Sequence, residues 1–213
     1  DLYEAASNVL IDTALAFPEL ELIDFGGGFW VPYRPEEASL DLDGMRAMFD
    51  RLHARLVREH PNGAHISMRA EPGRYVVAEC GVLLGTVEAV KQNHGKTYVG
   101  TDIGFNVLAR PMLYDSYHHI VLPQHDANET AVPLTVTGNI CESGDILAKD
   151  RMLAMPHEGE IIAVLTAGAY GYAMSSSYNC RMRPAEVLVA CDGSDTLIRR
   201  RETVEDLARM MQI

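Results

Sequence analysis

Positive charge is what this chain of 213 residues has least of: 18 Lys and Arg against 30 Asp and Glu leave a formal net charge of -12 at pH 7. The one basic run, Arg199-Arg200-Arg201, sits beside Glu202, Glu205 and Asp206, so no extended cationic surface is expected for a phosphate backbone and no nucleic-acid partner. Cysteine is also scarce. Cys80, Cys141, Cys180 and Cys191 lack metal-ligand spacing and are too few for a disulfide scaffold, which predicts a reduced, cytoplasmic protein without a metal. No apolar run is long enough to span a bilayer, no signal-peptide pattern is read, and neither internal repeats nor low-complexity segments occur, so no membrane partner is expected. What is present is ordinary: 47% apolar and 23% charged residues predict a globular chain of one large domain or two small ones.

The segment DLYEAASNVLIDTALAFPEL repeats apolar residues at Leu2, Ala6, Val9, Leu10 and Ala14, a helical period that Pro18 ends. The run Leu22-Ile23-Asp24-Phe25 then enters Gly26-Gly27-Gly28. A second helix is predicted from about Asp43, with Met45, Met48, Phe49, Leu52 and Leu56 on one face. HISMRAEPGR reads as a strand stopping at Pro72-Gly73. Residues 1–74 therefore alternate helix, strand, helix, strand, as in a parallel α/β architecture. After Tyr75 the texture changes to short, β-branched runs: VLLGTVEAV, KTYVGTDIG, HHIVLP, PLTVTG, EIIAVLTAG, AEVLVA and TLIRRRE. Turn signals such as Asn93-His94-Gly95 and Asp192-Gly193-Ser194 separate them, which predicts an antiparallel β domain over 75–213. A last helix is expected in TVEDLARMM, with Thr203 as cap and Asp206 at the acidic position of a capping box.

Five stretches carry chemistry-bearing residues. DFGGGF could let backbone N–H groups approach a phosphate, or could be a tight turn with no ligand. AEPGR closes a predicted strand; Glu71 could hold a protonated ring nitrogen and Arg74 a carboxylate or phosphate, or the two could be a surface ion pair at a turn. In ARPMLYDSYHH, Arg110 and Tyr114 are four apart, so one helical turn puts them on a shared face where they could grip an anion. His118 and His119 are read as solvent-facing or satisfied within the core, and adjacent histidines without a carboxylate at ligand spacing argue against a metal. AGAYGYAMSSSYNCRMRPAEVLV places Tyr170 in a flexible loop, where its phenol could meet a ligand. GNICESGDIL sets Cys141 beside Glu142 and Asp145. Neighbouring carboxylates oppose thiolate formation, which suits a general acid better than a nucleophile.

Taken together and in this order, these stretches resemble the pyridoxal-phosphate decarboxylases that combine an alanine-racemase-like barrel with a β domain, the ornithine, diaminopimelate and arginine decarboxylase group. The diaminopimelate branch is the nearest in motif. The resemblance implies the C-terminal portion of a (β/α)8 barrel over 1–74, followed over 75–213 by an antiparallel β domain of barrel or sandwich type. It implies the cofactor pyridoxal 5'-phosphate, with Gly26, Gly27, Gly28, Gly73 and Arg74 around its phosphate, Glu71 on its pyridine nitrogen and Tyr170 against it. It further implies substrate contacts from Arg74, Arg110, Tyr114, Glu142 and Tyr170, with Cys141 as the proton donor. Cys141 and Glu142 would act in the neighbouring subunit's site, hence a homodimer with shared active sites and an amino-acid substrate.

Several positions depart from the family's pattern. Asn139 and Met182 stand where prolines are common. Asp115 follows the tyrosine as in diamine-forming relatives, where it holds a substrate amine, whereas Arg110 suits a substrate with a second carboxylate such as meso-2,6-diaminopimelate. The family's cofactor-bearing lysine precedes the glycine triplet, and the three lysines here, Lys91, Lys96 and Lys149, have no matching context. Two barrel strands do not close a barrel of eight. The expectation is therefore a C-terminal part of such an enzyme, with little turnover by itself. The alternatives are a decarboxylase of ornithine, lysine, arginine or a carboxylated polyamine, and a non-catalytic regulatory relative. Retention of Glu71, Arg74, Cys141 and Tyr170 together speaks against the latter.

Overall fold

An 18-residue helix at Leu42–Glu59 buries Met48, Leu52 and Leu56, the face its period predicts. The Asp41 carboxylate caps it by accepting the Gly44 N–H at 2.9 Å, and the backbone turns extended at His60, just ahead of Pro61. In the computed structural model, which describes residues 2–126, 128–209 and 211, this helix belongs to the first of two compact units. The first unit runs to Pro32 and from Glu36 to Val77; the second holds Tyr33–Pro35 and the chain from Ala78 onward.

The first unit alternates α1 (Leu2–Ala14), β1 (Leu22–Asp24), α2 (Leu42–Glu59) and β2 (Ser67–Arg69), followed by the short α3 (Gly73–Val77). β1 and β2 pair in parallel, Leu22 opposite Ser67 and Asp24 opposite Arg69. Ile11 of α1, Ile23 of β1, Leu52 and Leu56 of α2 and Ile66 form the core, with Phe25 and Phe49 packed on it. Each such side chain contributes on the order of 2 kcal/mol by leaving water.

The second unit is mostly sheet. Six strands, β3 (Leu83–Asn93), β4 (Lys96–Thr101), β5 (Ile120–Val121), β6 (Val132–Thr137), β7 (Ile146–Leu153) and β8 (Ile161–Val164), lie in the order β5-β8-β3-β4-β6-β7. His94 and Gly95, both at positive φ, make the tight turn between β3 and β4. An antiparallel domain was the expectation, and here the structure corrects it. β4 and β6 run parallel, Thr97 opposite Leu134 and Gly100 opposite Thr137, so the sheet is mixed. Parallel neighbours need a long crossover, and the thirty residues between the two strands supply it, including α4 (Arg110–Tyr114). β7 is a second correction, a strand that the sequence reading passed over. Its core of Leu108, Ile120, Val136, Leu147, Ile162 and Val164 draws on four strands and the crossover.

β9 (Glu186–Val189) and β10 (Asp195–Arg199) form a separate antiparallel pair, turned at Asp192-Gly193-Ser194 as expected. Val187, Leu188, Val189, Leu197 and Ile198 on this pair are each more than half exposed. α5 (Val204–Ala208) starts at the predicted cap, the Thr203 N–H donating to the Asp206 carboxylate at 2.9 Å. Met210 of that predicted segment lies outside the described residues. Among the described residues no helix is long and apolar enough to cross a membrane.

Candidate active site

In the first unit, hydrogen bonding between β1 and β2 continues beyond the strands. The Phe25 N–H donates to the Arg69 carbonyl and the Glu71 N–H to the Gly26 carbonyl, both at 2.9 Å. The two loops at the C-terminal ends of the strands are thereby laced together, and they hold Gly26, Gly27, Gly28, Glu71, Gly73 and Arg74. Each glycine of the triplet has its own reason. Gly26 and Gly28 have φ of +68° and +88°, which disfavours any side chain, and a Cβ on Gly27 would lie 3.0 Å from the Glu71 carbonyl oxygen. Among the described residues a Cβ on Gly26 would meet nothing within 4 Å, so the loop is open on that side. Glu71 and Gly73 are exposed, and Arg74, in α3, is half-buried.

In the second unit, α4 puts Arg110 and Tyr114 on one face, as their spacing predicts, with the Arg110 guanidinium carbon 6.0 Å from the Tyr114 ring centroid. The same guanidinium lies 5.7 Å from the Tyr170 ring and 5.4 Å from that of Tyr33. Arg110 is only 7% exposed, donates from Nη2 to Ser116 Oγ at 3.2 Å, and has a buried Nε without a hydrogen-bond partner among the described residues. Tyr170 has φ of +60° in a turn anchored by the Ala167 N–H on the Gly81 carbonyl and the Gly168 N–H on the Ala78 carbonyl. Of the expected substrate contacts, the structure brings Arg110, Tyr114 and Tyr170 together.

The loop from Gly138 to Asp145 is organised from inside. The Asp145 side chain is 4% exposed and accepts the Phe105 N–H at Oδ1 and the Ile140 N–H at Oδ2, each at 2.7 Å. Burial pushes its carboxyl above the usual carboxylate range, and the two N–H bonds oppose that shift. A Cβ on Gly138 would stand 2.3 Å from the same carboxylate, so this glycine exists to let Asp145 in. Cys141 and Glu142 sit on the exposed side of the loop. Asp145, read from sequence as a neighbour acting on the thiol, is instead a staple for the loop backbone. Asn139, where relatives commonly carry proline, ties the loop sideways: its amide donates to the Asp102 carbonyl and its own carbonyl accepts Arg181 at 2.9 Å.

The histidines divide. His118 is 1% exposed, with Nδ1 3.1 Å from the Leu165 carbonyl and Nε2 without a partner among the described residues, and burial lowers its pKa; His119 is half-buried beside the Tyr117 hydroxyl. Sequence reasoning missed Tyr33, whose ring meets the His118 ring edge-on at 5.1 Å. It also missed Arg34 and Arg151, whose guanidinium carbons both lie 3.8 Å from the Tyr117 centroid. The available signal was VPYRP, because prolines on both sides of Tyr33-Arg34 mark an extended segment. Arg34 and Arg151 line a cavity of about 490 Å³ together with Asp115, Tyr117, Gly144 and Lys149.

Residues 74–168 match the family model for the pyridoxal-dependent decarboxylase C-terminal sheet domain. The chain is 45% identical over 191 residues to the diaminopimelate decarboxylase of Methanothermobacter thermautotrophicus, covering 90% of this chain and 44% of that protein. It is 39% identical over 206 residues to that of Archaeoglobus fulgidus, covering 97% of this chain and 48% of the relative. A crystal structure of diaminopimelate decarboxylase superposes with a TM-score of 0.88 at 33% identity, over 99% of this chain and 53% of the other. The Helicobacter pylori diaminopimelate decarboxylase complexed with L-lysine does so with a TM-score of 0.80 at 33% identity, over 98% of this chain and 50% of the other. The chain thus spans about half the length of the relatives it matches. Residues 74–168 thus match the C-terminal sheet domain of the pyridoxal-dependent decarboxylases, and the chain is similar over nine-tenths of its residues or more to diaminopimelate decarboxylases.

Proposed function

We propose that the protein carrying this chain decarboxylates meso-2,6-diaminopimelate to L-lysine with pyridoxal 5'-phosphate, this chain supplying the last βα units of a (β/α)8 barrel over 1–74 and the β domain over 75–213. The observation that carries the reading is the buried Arg110 with its ring of tyrosines, in a chain whose relatives are named for that substrate. Arg110 is a fixed cation with a spare donor, suited to a substrate carboxylate. Asp115 lines one cavity with Arg34, Lys149 and Arg151, a surround richer in cations than in carboxylates, which suits a substrate amine poorly and so favours diaminopimelate over the diamine-forming alternatives.

The cradle of the first unit suits the cofactor. Its glycines give backbone access and the side of Gly26 is open, as a phosphate requires. Gly26, Gly27, Gly28, Gly73 and Arg74 would hold that phosphate, Glu71 would pair with the pyridine nitrogen, and Tyr170 would lie against the ring. When bound, pyridoxal phosphate supplies an electron sink for the carbanion that loss of carbon dioxide creates. Arg74, Arg110, Tyr114 and Tyr170 orient the substrate. Cys141 would deliver a proton from its thiol Sγ and Glu142 would hold the distal amine, both from the neighbouring subunit of a homodimer. Their place on the exposed side of an internally stapled loop supports such reach.

The test is release of carbon dioxide by the purified holoprotein from diaminopimelate, ornithine, lysine, arginine and carboxynorspermidine. Diaminopimelate is expected to give the highest kcat/KM, and Arg110→Ala to lower it at least about 100-fold, a loss that fits removal of a charged hydrogen-bond partner. A preference for ornithine would overturn the substrate. Failure to bind the cofactor, seen as no visible absorption band, would favour the regulatory relative.

A further inference from the structure

Arg110 poses a problem in physical chemistry before it poses one in function. A guanidinium that is 7% exposed needs compensation, since burying an unpaired charge is costly. Among the described residues no carboxylate forms an ion pair with it, and its side-chain hydrogen bond goes to the neutral hydroxyl of Ser116. A protein carboxylate would compensate the charge, but it would also occupy the donors that a substrate carboxylate has to reach. Aromatic faces avoid this conflict, because a ring quadrupole attracts a cation and takes none of its N–H groups.

Three rings lie within cation–π reach of Arg110, and they are not equivalent. Tyr114 is 63% exposed and Tyr170 40% exposed, so both belong to the open side. Tyr33 is half-buried with its hydroxyl out of solvent, and the His118 ring abuts it edge-on at 83° between planes. His118 is itself fully buried and anchored by Nδ1 on the Leu165 carbonyl, so the Tyr33 ring has a rigid backing. Burial depresses the His118 pKa, which keeps the backing uncharged at neutral pH and spares Arg110 a second cation nearby.

We propose that Tyr33 is a positioning residue for Arg110: its ring, backed by His118, holds the guanidinium as an available cation at the carboxylate-binding end of the substrate site. The inference rests on the reading of Arg110 given above and adds a residue outside the motifs that carry the family resemblance. Tyr33 reaches this place on the short strap Tyr33–Pro35, which bends at Arg34 and packs as part of the second unit although its sequence neighbours belong to the first. The next residue, Arg34, faces a different ring, that of Tyr117. Strap docking and Arg110 positioning can therefore be separated by substitution.

The experiment is steady-state decarboxylation of diaminopimelate by the holoprotein and its variants, with Tm measured alongside. Tyr33→Phe keeps the ring face and should hold KM within about twofold, whereas Tyr33→Leu should raise KM about tenfold or more with kcat changed less than about threefold. Arg34→Gln, which perturbs the strap on its other side, should leave KM within about twofold. An unchanged KM in Tyr33→Leu, or an equal rise in Arg34→Gln, would overturn the proposal. If Tyr33→Leu does not fold, pentafluorophenylalanine at position 33 keeps the shape and reverses the quadrupole; a KM equal to that of Tyr33→Phe then overturns it. Inactivity of the unsubstituted holoprotein would remove the functional reading and this inference with it. Activity with an indifferent Tyr33 would remove the inference alone.

Discussion

Two glycine-bearing loops, one in each unit, carry candidate site residues, and they use glycine in opposite ways. In the first unit, the loop of Gly26 to Gly28 is open, and a Cβ on Gly26 would touch nothing. In the second, the loop of Gly138 to Asp145 is packed shut, and a Cβ on Gly138 would enter the Asp145 carboxylate and come within 2.5 Å of the Gly104 backbone. One loop keeps space for a ligand. The other fills that space with its own aspartate to fix Cys141 and Glu142 on the outside. Glycine content alone does not distinguish a cradle from a staple; what fills the glycine's empty side does.

Substitutions to alanine should grade this contrast. Gly138→Ala is expected to have the largest effect, because neither the buried carboxylate nor the Gly104 backbone can retreat: a loss of about 3 kcal/mol or more, combining overpacking with displaced hydrogen bonds to Phe105 and Ile140. Denaturant unfolding would measure it, and a loss below about 1 kcal/mol would mean that the staple is slack. Gly27→Ala should be intermediate, about 1–2 kcal/mol, since its Cβ would press the Glu71 carbonyl from 3.0 Å. Gly26→Ala should cost least in stability, about 1 kcal/mol for a left-handed alanine, yet should weaken cofactor binding at least about tenfold in a titration followed by absorbance. If Gly26→Ala costs stability and leaves cofactor affinity intact, the open loop is a turn and nothing more.

How much of this was legible beforehand depends on whether neighbours in space were also neighbours in sequence. α2 was readable because its core contacts recur along one helix face, Met48, Leu52 and Leu56 at four-residue intervals. The turns at Asn93-His94-Gly95 and Asp192-Gly193-Ser194 were readable because local backbone geometry selects their residues. β7 was not, because Lys149, Asp150 and Arg151 interrupt its apolar alternation; such charges are tolerated on a sheet-edge strand, which β7 is. The parallel pairing of β4 with β6 was also hidden, since strand direction in a sheet is decided by a crossover and not by strand composition. At the site, Arg110 with Tyr114 could be read from spacing. Tyr33 could not, being 77 positions from the residue it faces, and Asp145 could be seen to be near Cys141 but not to point the other way.

The strap has a consequence for anyone who would take the molecule apart. The chain leaves its first unit after Pro32, lends three residues to the second, and returns at Glu36. A sheet unit expressed from Ala78 onward would follow the obvious boundary and still be incomplete, because the ring beneath Arg110 would have stayed with the other fragment. The working boundary of this domain is not a point along the chain, and a fragment carries the whole unit only if it carries Tyr33 as well.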